Sequence, residues 1–421
     1  MSLLTQLYKE ENLRSAWAAL HKSPGSYGVD GTTIDEFRDN LDNELKALSH
    51  AIKTGRYKPT KLKGHPLEKG NNTSRISDRK EYRILKIPTV RDRVVQKTIE
   101  KLIYTHLDKK YRISNKVSFA YVSGGGVERA AKEVHKYHDS GNRWTYKADI
   151  IKFFDKINKE KMLKMIEDGI PDNSIMPLIE AFLRIDIANS KEIKERTKEE
   201  YKFNPMLGVA QGSPLSPMFA NVFLSSLDKE LIENKYNAVR YADDLVILTK
   251  TKEEAMDAHV FVKAILDKLD LEVHDLWVRG DIPTKGHEKK SKVDMYNRLF
   301  FLGLRFTGSR IYASGESYEK AIWTVRRAAN NTKLSFVEKL ISIEARIVGW
   351  CSAYAFADYL EEPTKKNDKL LEDILIKLLR QNHLKTTHNK TALEVLGIST
   401  YSKTLQEIKE KRKPSKQPDV K

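Results

Sequence analysis

Tyr241-Ala242-Asp243-Asp244 lies inside a strand-like run, between Asn237-Ala238-Val239-Arg240 and Leu245-Val246-Ile247-Leu248-Thr249. The second flank is apolar and rich in β-branched residues, the pattern of a buried strand. The Ala-Asp-Asp between the flanks predicts the tip of a tight hairpin, because Asp tolerates turn geometry. Two adjacent carboxylates at such a tip do not pack into a core unless a cation neutralises them. A lone Asp-Asp pair is most often a solvated acidic turn, but a second acidic strand upstream argues otherwise here. Lys147-Ala148-Asp149-Ile150-Ile151-Lys152-Phe153-Phe154-Asp155 sets one carboxylate into an otherwise apolar segment, 94 residues before Asp243. Asp149, Asp243 and Asp244 together form an all-oxygen set. Hard Mg²⁺ takes such a set when substrate phosphates supply further ligands. Two such ions roughly 3.5–4 Å apart activate both the attacking and the leaving oxygen in phosphoryl transfer.

The composition points to a polyanionic substrate. The formal net charge is +17, from 75 Lys+Arg against 58 Asp+Glu. That excess favours a phosphate backbone or an anionic membrane face. No apolar run approaches the ~18 residues of a membrane span. The first residues, Met1-Ser2-Leu3-Leu4-Thr5-Gln6, lack the succession of a signal peptide. Nucleic acid is therefore the expected partner. The single cysteine, Cys351, excludes an internal disulfide and a Cys-rich zinc module. The expected compartment is the reducing cytosol.

Along the chain, the first 60 residues read as short helices around a loop, with Thr33 capping a helix and Glu36 three residues on. Residues 61–80 read as polar, basic loops. Tyr82 to Pro88 reads as a short strand before a helix whose apolar face carries Val94, Val95, Ile99, Leu102 and Ile103. Gly124-Gly125-Gly126 precedes a helix from about Val127. A strand is expected at 144–151, then helices to about 185, then a hairpin or surface loop at 186–206. Ser216 is expected to cap a long helix with Pro217 in its first turn. A helix near 252–269, a Lys-rich loop at 285–292 and a strand at 299–306 follow. The pattern from Ser317 to His383 is helical and basic, with Trp323 and Trp350 expected in the core. The tail is polar and expected to be disordered.

These pieces, in this order, resemble a bacterial reverse transcriptase of the group II intron type. The resemblance rests on Gly28-Val29-Asp30-Gly31-Thr32, on Arg83 to Gln96, on Ser118-Phe119-Ala120 and on the Asp149 segment. It extends through Gln211-Gly212-Ser213-Pro214-Leu215-Ser216-Pro217, Tyr241-Ala242-Asp243-Asp244, Phe301-Leu302-Gly303 and Gly349-Trp350-Cys351-Ser352-Ala353-Tyr354. It implies an α+β right-hand polymerase with fingers, an antiparallel-sheet palm and a helical thumb. The corresponding parts are an N-terminal extension (1–60), fingers and palm (61–315), a helical thumb and C-terminal region (316–400) and a basic tail (401–421).

The resemblance also implies roles. Asp149 and Asp243 would hold two Mg²⁺ ions with Asp244 beside them and the Ile150 carbonyl adding a ligand. Phe154 would stand against the sugar 2′ position and exclude ribonucleotides. Gln211 and Gly212 would contact the incoming dNTP, and Arg83, whose fork suits phosphates, would clamp its triphosphate with Arg79 or Lys80 assisting. The family commonly has a second Gly where Ser213 stands. One lysine among Lys285, Lys289, Lys290 and Lys292 would be a general acid. Lys320, Arg326, Arg327 and Lys333 would follow a duplex backbone. The partners implied are a structured RNA template, its cDNA product and dNTPs, with no membrane. No Cys/His-rich nuclease module is present, and about 60 residues follow Tyr359. These features favour a stand-alone cytoplasmic enzyme copying a dedicated non-coding RNA in antiviral defence. The alternatives are an intron-encoded maturase and a non-catalytic RNA-binding splicing cofactor.

Overall fold

The computed structural model describes residues 1–20, 26–68, 82–280, 291–332, 334–384 and 391–412. The N-terminal helices Leu3–Leu7, Glu10–Leu20, Ile34–Asp39 and Leu41–Lys53 gather around the long helix Val90–Tyr111. Thr33 and Glu36 close the expected capping box. Strand β1 (Lys63–Glu68) pairs antiparallel with β2 (Tyr82–Ile87), from Lys63↔Ile87 to Glu68↔Tyr82. The loop reading of 61–80 therefore fails over 63–68: the backbone ladder to β2 overrides a composition with Gly64 and Pro66.

The central sheet has five strands: β3 (Trp144–Ala148), β4 (Asn237–Tyr241), β5 (Asp244–Thr249), β6 (Leu276–Val278) and β7 (Ser291–Met295). Their order is β4-β5-β3-β7-β6, antiparallel throughout except for the β6–β7 pair. Side chains alternate across a strand, and β5 uses both faces. Leu245 and Ile247 pack into one core with the N-terminal helices, the helix Ser216–Phe223 and the helix Lys252–Lys268. Val246 and Leu248 pack into a second core with the C-terminal helices. Burial on both faces explains the unbroken apolar run. A small sheet of β8 (Phe300–Phe301), β9 (Leu304–Thr307) and β10 (Arg310–Ala313) links the palm to the helices Gly315–Ala329, Phe336–Tyr354 and Glu361–Gln381. This is the α+β right hand expected. No helix among the described residues is long and apolar enough to cross a membrane.

Several local expectations change. β3 stops at Ala148, because Ile150 bridges to Val273 rather than continuing the ladder to β5. The 186–206 stretch contains a helix, Ser190–Thr197, with Ile193 buried. It docks on β1 through Asn189, which accepts from the Gly64 N–H (2.7 Å) and donates to the Gly64 carbonyl (3.0 Å). The strand expected at 299–306 folds into a hairpin, because Leu302 and Gly303 adopt φ of 55° and 73°. Lys292 lies on β7, not in a loop. Ser216 is the first residue of its helix rather than its cap, and its hydroxyl donates to the Ala210 carbonyl. That helix ends at Phe223, and a second runs over Ser225–Glu233.

Trp350 is buried as expected, but Trp323 is 55% exposed. The tail is not disordered over 401–411. Tyr401–Lys411 is a helix whose Tyr401 and Leu405 are buried, started by Thr400 and by Asp368 accepting the Tyr401 N–H at 2.6 Å. Tyr401, Leu405 and Ile408 supply an i, i+4, i+7 stripe within a polar composition.

Candidate active site

The hairpin at the palm centre is tight. Tyr241 pairs with Asp244, so Ala242 and Asp243 alone make the turn, and Ala242 takes φ of 60°. On the other side of β5, Ala148 pairs with Leu245. Asp149 follows directly, past the end of the ladder, near enough to Asp244 for the two carboxylate charges to act on each other. The Asp149 backbone is pinned on both sides. Its N–H donates to Ser291 Oγ (3.3 Å), and its carbonyl accepts from the His274 N–H (3.0 Å). The Ile150–Val273 bridge is closed by this bond and by Ile151 N–H to the Glu272 carbonyl (2.8 Å). The Ile150 carbonyl takes part in neither.

The electrostatics fit an incomplete cation site. Burial raises the Asp243 carboxyl above its ordinary value, and the charges of Asp244 and Asp149 raise it further, while Arg83 works in the opposite direction. Burial also raises Asp149. The His274 imidazole, 3.8 Å from its carboxylate, opposes the shift, and Asp244 adds to it. Lys147 Nζ lies 3.7 Å from Asp244, and the Lys292 charge also reaches Asp149. Three mutually repelling carboxylates with oxygen donors alone suit a hard divalent cation. His135, His138 and Asp139 also gather on the helix Val127–Asp139. There, however, the Arg143 guanidinium donates to His138 Nε2 and keeps a cation in place.

Asp243 also lines a cavity of about 850 Å³, together with Arg83, Phe154, Gln211 and Gly212. All four residues expected at a nucleotide site thus meet one of the expected carboxylates. Gly212 sits at φ of 123°, and a Cβ there would come within 2.8 Å of the Lys86 carbonyl. The Lys86 N–H donates to the Gln211 carbonyl at 2.8 Å, which fastens this loop to β2. Ser213, where the family commonly has glycine, donates its hydroxyl to Gln96 Oε1 at 2.8 Å. The departure therefore adds a tie to the helix Val90–Tyr111. Phe153 is buried, whereas Phe154 is half-buried and faces the cavity, its ring 5.4 Å from that of Phe153.

Lys320, Arg326 and Arg327 do not line this cavity; they lie on the exposed face of the helix Gly315–Ala329. Arg79, Lys80, Lys285, Lys289, Lys290 and Lys333 fall outside the described residues. Sequence reading missed Tyr121, which lines the cavity at φ of 59°, and His274 and Ser291, which hold Asp149. No local pattern marks these three; only the tertiary pairing brings them in.

Residues 67–275 match the profile of the family described as reverse transcriptase (RNA-dependent DNA polymerase). The chain belongs to the reverse transcriptases. Its relatives include the putative COX1/OXI3 intron 1 protein of Saccharomyces cerevisiae, 26% identical over 56% of this chain and 26% of that protein. The retron Ec83 reverse transcriptase of Escherichia coli is 29% identical over 44% of this chain and 54% of its own length. The group II intron-encoded protein LtrA of Lactococcus lactis is 24% identical over 59% and 37% respectively. The match thus spans between about a quarter and about half the length of these relatives. The reverse transcriptase region contains both Asp149 and the Asp243–Asp244 hairpin.

Proposed function

We propose that this reverse transcriptase copies a structured RNA template into cDNA by two-Mg²⁺ nucleotidyl transfer. The observation that carries the reading is the convergence of Asp243, Arg83, Phe154, Gln211 and Gly212 on one cavity, with the charges of Asp149 and Asp244 acting on Asp243. The carboxylates of Asp149, Asp243 and Asp244 and the Ile150 carbonyl would hold Mg²⁺, which when bound activates the attacking hydroxyl and stabilises departing pyrophosphate. The Arg83 guanidinium binds the triphosphate through paired N–H bonds. Gly212 lets backbone approach the nucleotide beside Gln211, and the Phe154 ring closes the space at the sugar 2′ position. The attacking group is a primer 3′-hydroxyl or a protein hydroxyl. The test is dNTP incorporation on a primed RNA template, with Mg²⁺ and with EDTA. Metal-independent incorporation, or none in Mg²⁺, overturns the reading.

Template and product are proposed to lie along the basic face of the helix Gly315–Ala329. Lys320, Trp323, Arg326 and Arg327 are exposed there, and Arg327 sits 5.5 Å from the Trp323 ring. The charge of Arg327 also reaches His65 on β1. There burial first, and then the charges of Arg196, Lys63 and Arg327, hold the His65 imidazole below its ordinary value. Several phosphate contacts make log K fall linearly with log salt, with a slope of about −0.7 per phosphate for single strands. Titration at several salt concentrations is expected to show that slope for any RNA. A structured cognate RNA outcompetes random RNA of equal length, because charge alone carries no sequence preference. A flat salt response refutes the electrostatic reading.

For the biological setting we favour a stand-alone enzyme that copies a dedicated non-coding RNA in antiviral defence. The single cysteine leaves no Cys/His-rich nuclease module within these 421 residues. Immunoprecipitated protein is then expected to carry one non-coding RNA encoded beside its gene, with cDNA complementary to a defined segment. Recovery of a spliced intron lariat instead, with splicing dependent on the protein, establishes the maturase reading.

A further inference from the structure

Arg240, on β4 next to the catalytic hairpin, is fully buried. A buried guanidinium is tolerated only when its charge is paired and its donors are filled. Here all five N–H donors of the fork are used. Nε and Nη2 bind Asp228 in the two-pronged mode, at 2.6 and 2.5 Å. The second Nη2 proton goes to Ser118 Oγ (3.0 Å), and the Nη1 protons go to Asn221 Oδ1 (3.0 Å) and to the Ala242 carbonyl (2.9 Å). Asn115 Nδ2 steadies Asp228 at 3.0 Å, and Asn221 Nδ2 donates to the Ala120 carbonyl at 2.9 Å. The backbone joins in. The Arg240 N–H donates to the Val117 carbonyl (2.7 Å), and the Arg240 carbonyl accepts from the Phe119 N–H (2.9 Å).

Two catalytic parts hang on this one side chain. The first is the hairpin tip. Ala242 is left-handed, which costs a non-glycine residue roughly 1–2 kcal/mol, so surrounding contacts must impose it. The Arg240 bond to the Ala242 carbonyl orients the peptide plane from which Asp243 projects. The second is the segment 118–120, which leads into Tyr121, Val122 and Ser123 on the cavity wall. A role confined to stability would need the ion pair with Asp228 but no bond to the turn. We infer that Arg240 is a positioning residue: its guanidinium sets the Asp243 carboxylate and the Tyr121 wall of the nucleotide cavity in one fixed register. The inference rests on the polymerase reading of this site. Lysine does not replace it, since one ammonium has no planar fork to reach Asp228 and the turn together.

The test uses three variants, assayed for melting temperature, Mg²⁺ dependence and kcat and KM for dNTP. Arg240→Met alone strands the buried Asp228 charge and is expected to unfold. Arg240→Met with Asp228→Leu removes both charges, an exchange of buried ions for apolar groups that is often neutral to stability. That double variant is expected to fold but to melt below the wild type, because Asn221 Oδ1, Ser118 Oγ and the Ala242 carbonyl lose their donors. Its kcat should fall about 10²-fold, the scale of a misplacement near 1 Å, and it should need more Mg²⁺ for half-maximal rate and for thermal stabilisation. Arg240→Lys keeps the charge pair and is expected to lie between.

Wild-type rates and Mg²⁺ dependence in either folded variant overturn the inference. Failure of both the double variant and Arg240→Lys to fold assigns Arg240 to stability alone and overturns it equally. An inactive wild type, by contrast, refutes the polymerase reading. The Mg²⁺-induced melting shift then still tests whether Arg240 sets the carboxylates.

Discussion

Asp243→Asn combined with Asp244→Asn is expected to abolish DNA synthesis while leaving the fold and RNA binding intact. The metal-free protein should become slightly more stable. Metal catalysis supplies several kcal/mol of transition-state stabilisation, and each 1.36 kcal/mol is tenfold in rate, so incorporation should drop by about 10³-fold or more. Neither side chain is needed by the core: Asp243 stands at the hairpin tip on the cavity, and Asp244 forms an ion pair with Lys147 at 3.7 Å and otherwise meets the repelling carboxylates.

The direction of the stability change follows from the raised Asp243 and Asp149 carboxyls. A carboxyl raised in the folded state holds its proton more tightly there than in the unfolded chain. The metal-free protein is therefore stabilised as pH falls through the raised values toward the model-compound range, and loses that stability as pH rises through them. The double variant removes two of the repelling charges. It should raise the melting temperature at neutral pH by about 1–3 °C, flatten the pH dependence and lose the stabilisation by Mg²⁺. The measurements are dNTP incorporation and melting curves with Mg²⁺ and with EDTA. Near-wild-type incorporation by the variant sinks the two-metal assignment, and an unchanged Mg²⁺ shift in melting sinks the ligand assignment.

What was legible in the sequence follows from which interactions are local. The hairpin at Asp243 was legible because turn residues and a β-branched run are adjacent in the chain, and the register Tyr241↔Asp244 needs nothing remote. The end of β3 was not. Ile150 and Ile151 are as apolar as a strand requires, but their backbone partners are Glu272 and Val273, more than a hundred residues on. The helix Ser190–Thr197 was hidden for a similar reason: its few buried side chains face β1, so the segment reads as charged surface. Trp323 misled because ring size suggests burial, whereas the exposed face of its helix is basic and the ring pairs with Arg327. Arg240 is the sharpest case. A charged residue in a strand reads as facing water, and its inward direction is fixed by remote partners, Asp228 on a helix twelve residues earlier together with Ser118 and Asn221. At the proposed nucleotide site, resemblance supplied Arg83, Phe154, Gln211 and Gly212, and the fold brought all four to one cavity. It could not supply the Ser213–Gln96 bond, which exists because this chain has a hydroxyl where glycine is usual.

Phe154→Ala is expected to let ribonucleotides into the product. Phe153 and Phe154 divide two tasks that one aromatic pair could otherwise blur. Phe153 is 1% exposed and belongs to the core, while Phe154 turns its ring toward the cavity shared with Asp243 and Gln211. The Phe154 carbonyl accepts from the Val209 N–H at 2.8 Å, which ties its backbone to the segment leading into Gln211. The ring is thereby held against motion relative to the nucleotide loop. On this reading a 2′-hydroxyl would be rejected by the lack of space beside such a ring, a steric discrimination against the wrong ligand rather than an attraction for the right one. Truncation to alanine opens that space. The ratio of rNTP to dNTP kcat/KM is expected to rise about 10²-fold, mainly through faster and tighter use of rNTP, with dNTP use reduced by less. Because the ring is only half-buried, its loss should cost less than the ~3–5 kcal/mol of a fully buried phenylalanine, and the variant should fold. Phe154→Tyr, which keeps the bulk, should keep the discrimination. An unchanged rNTP to dNTP ratio in a folded, active Phe154→Ala enzyme returns this side chain to core packing.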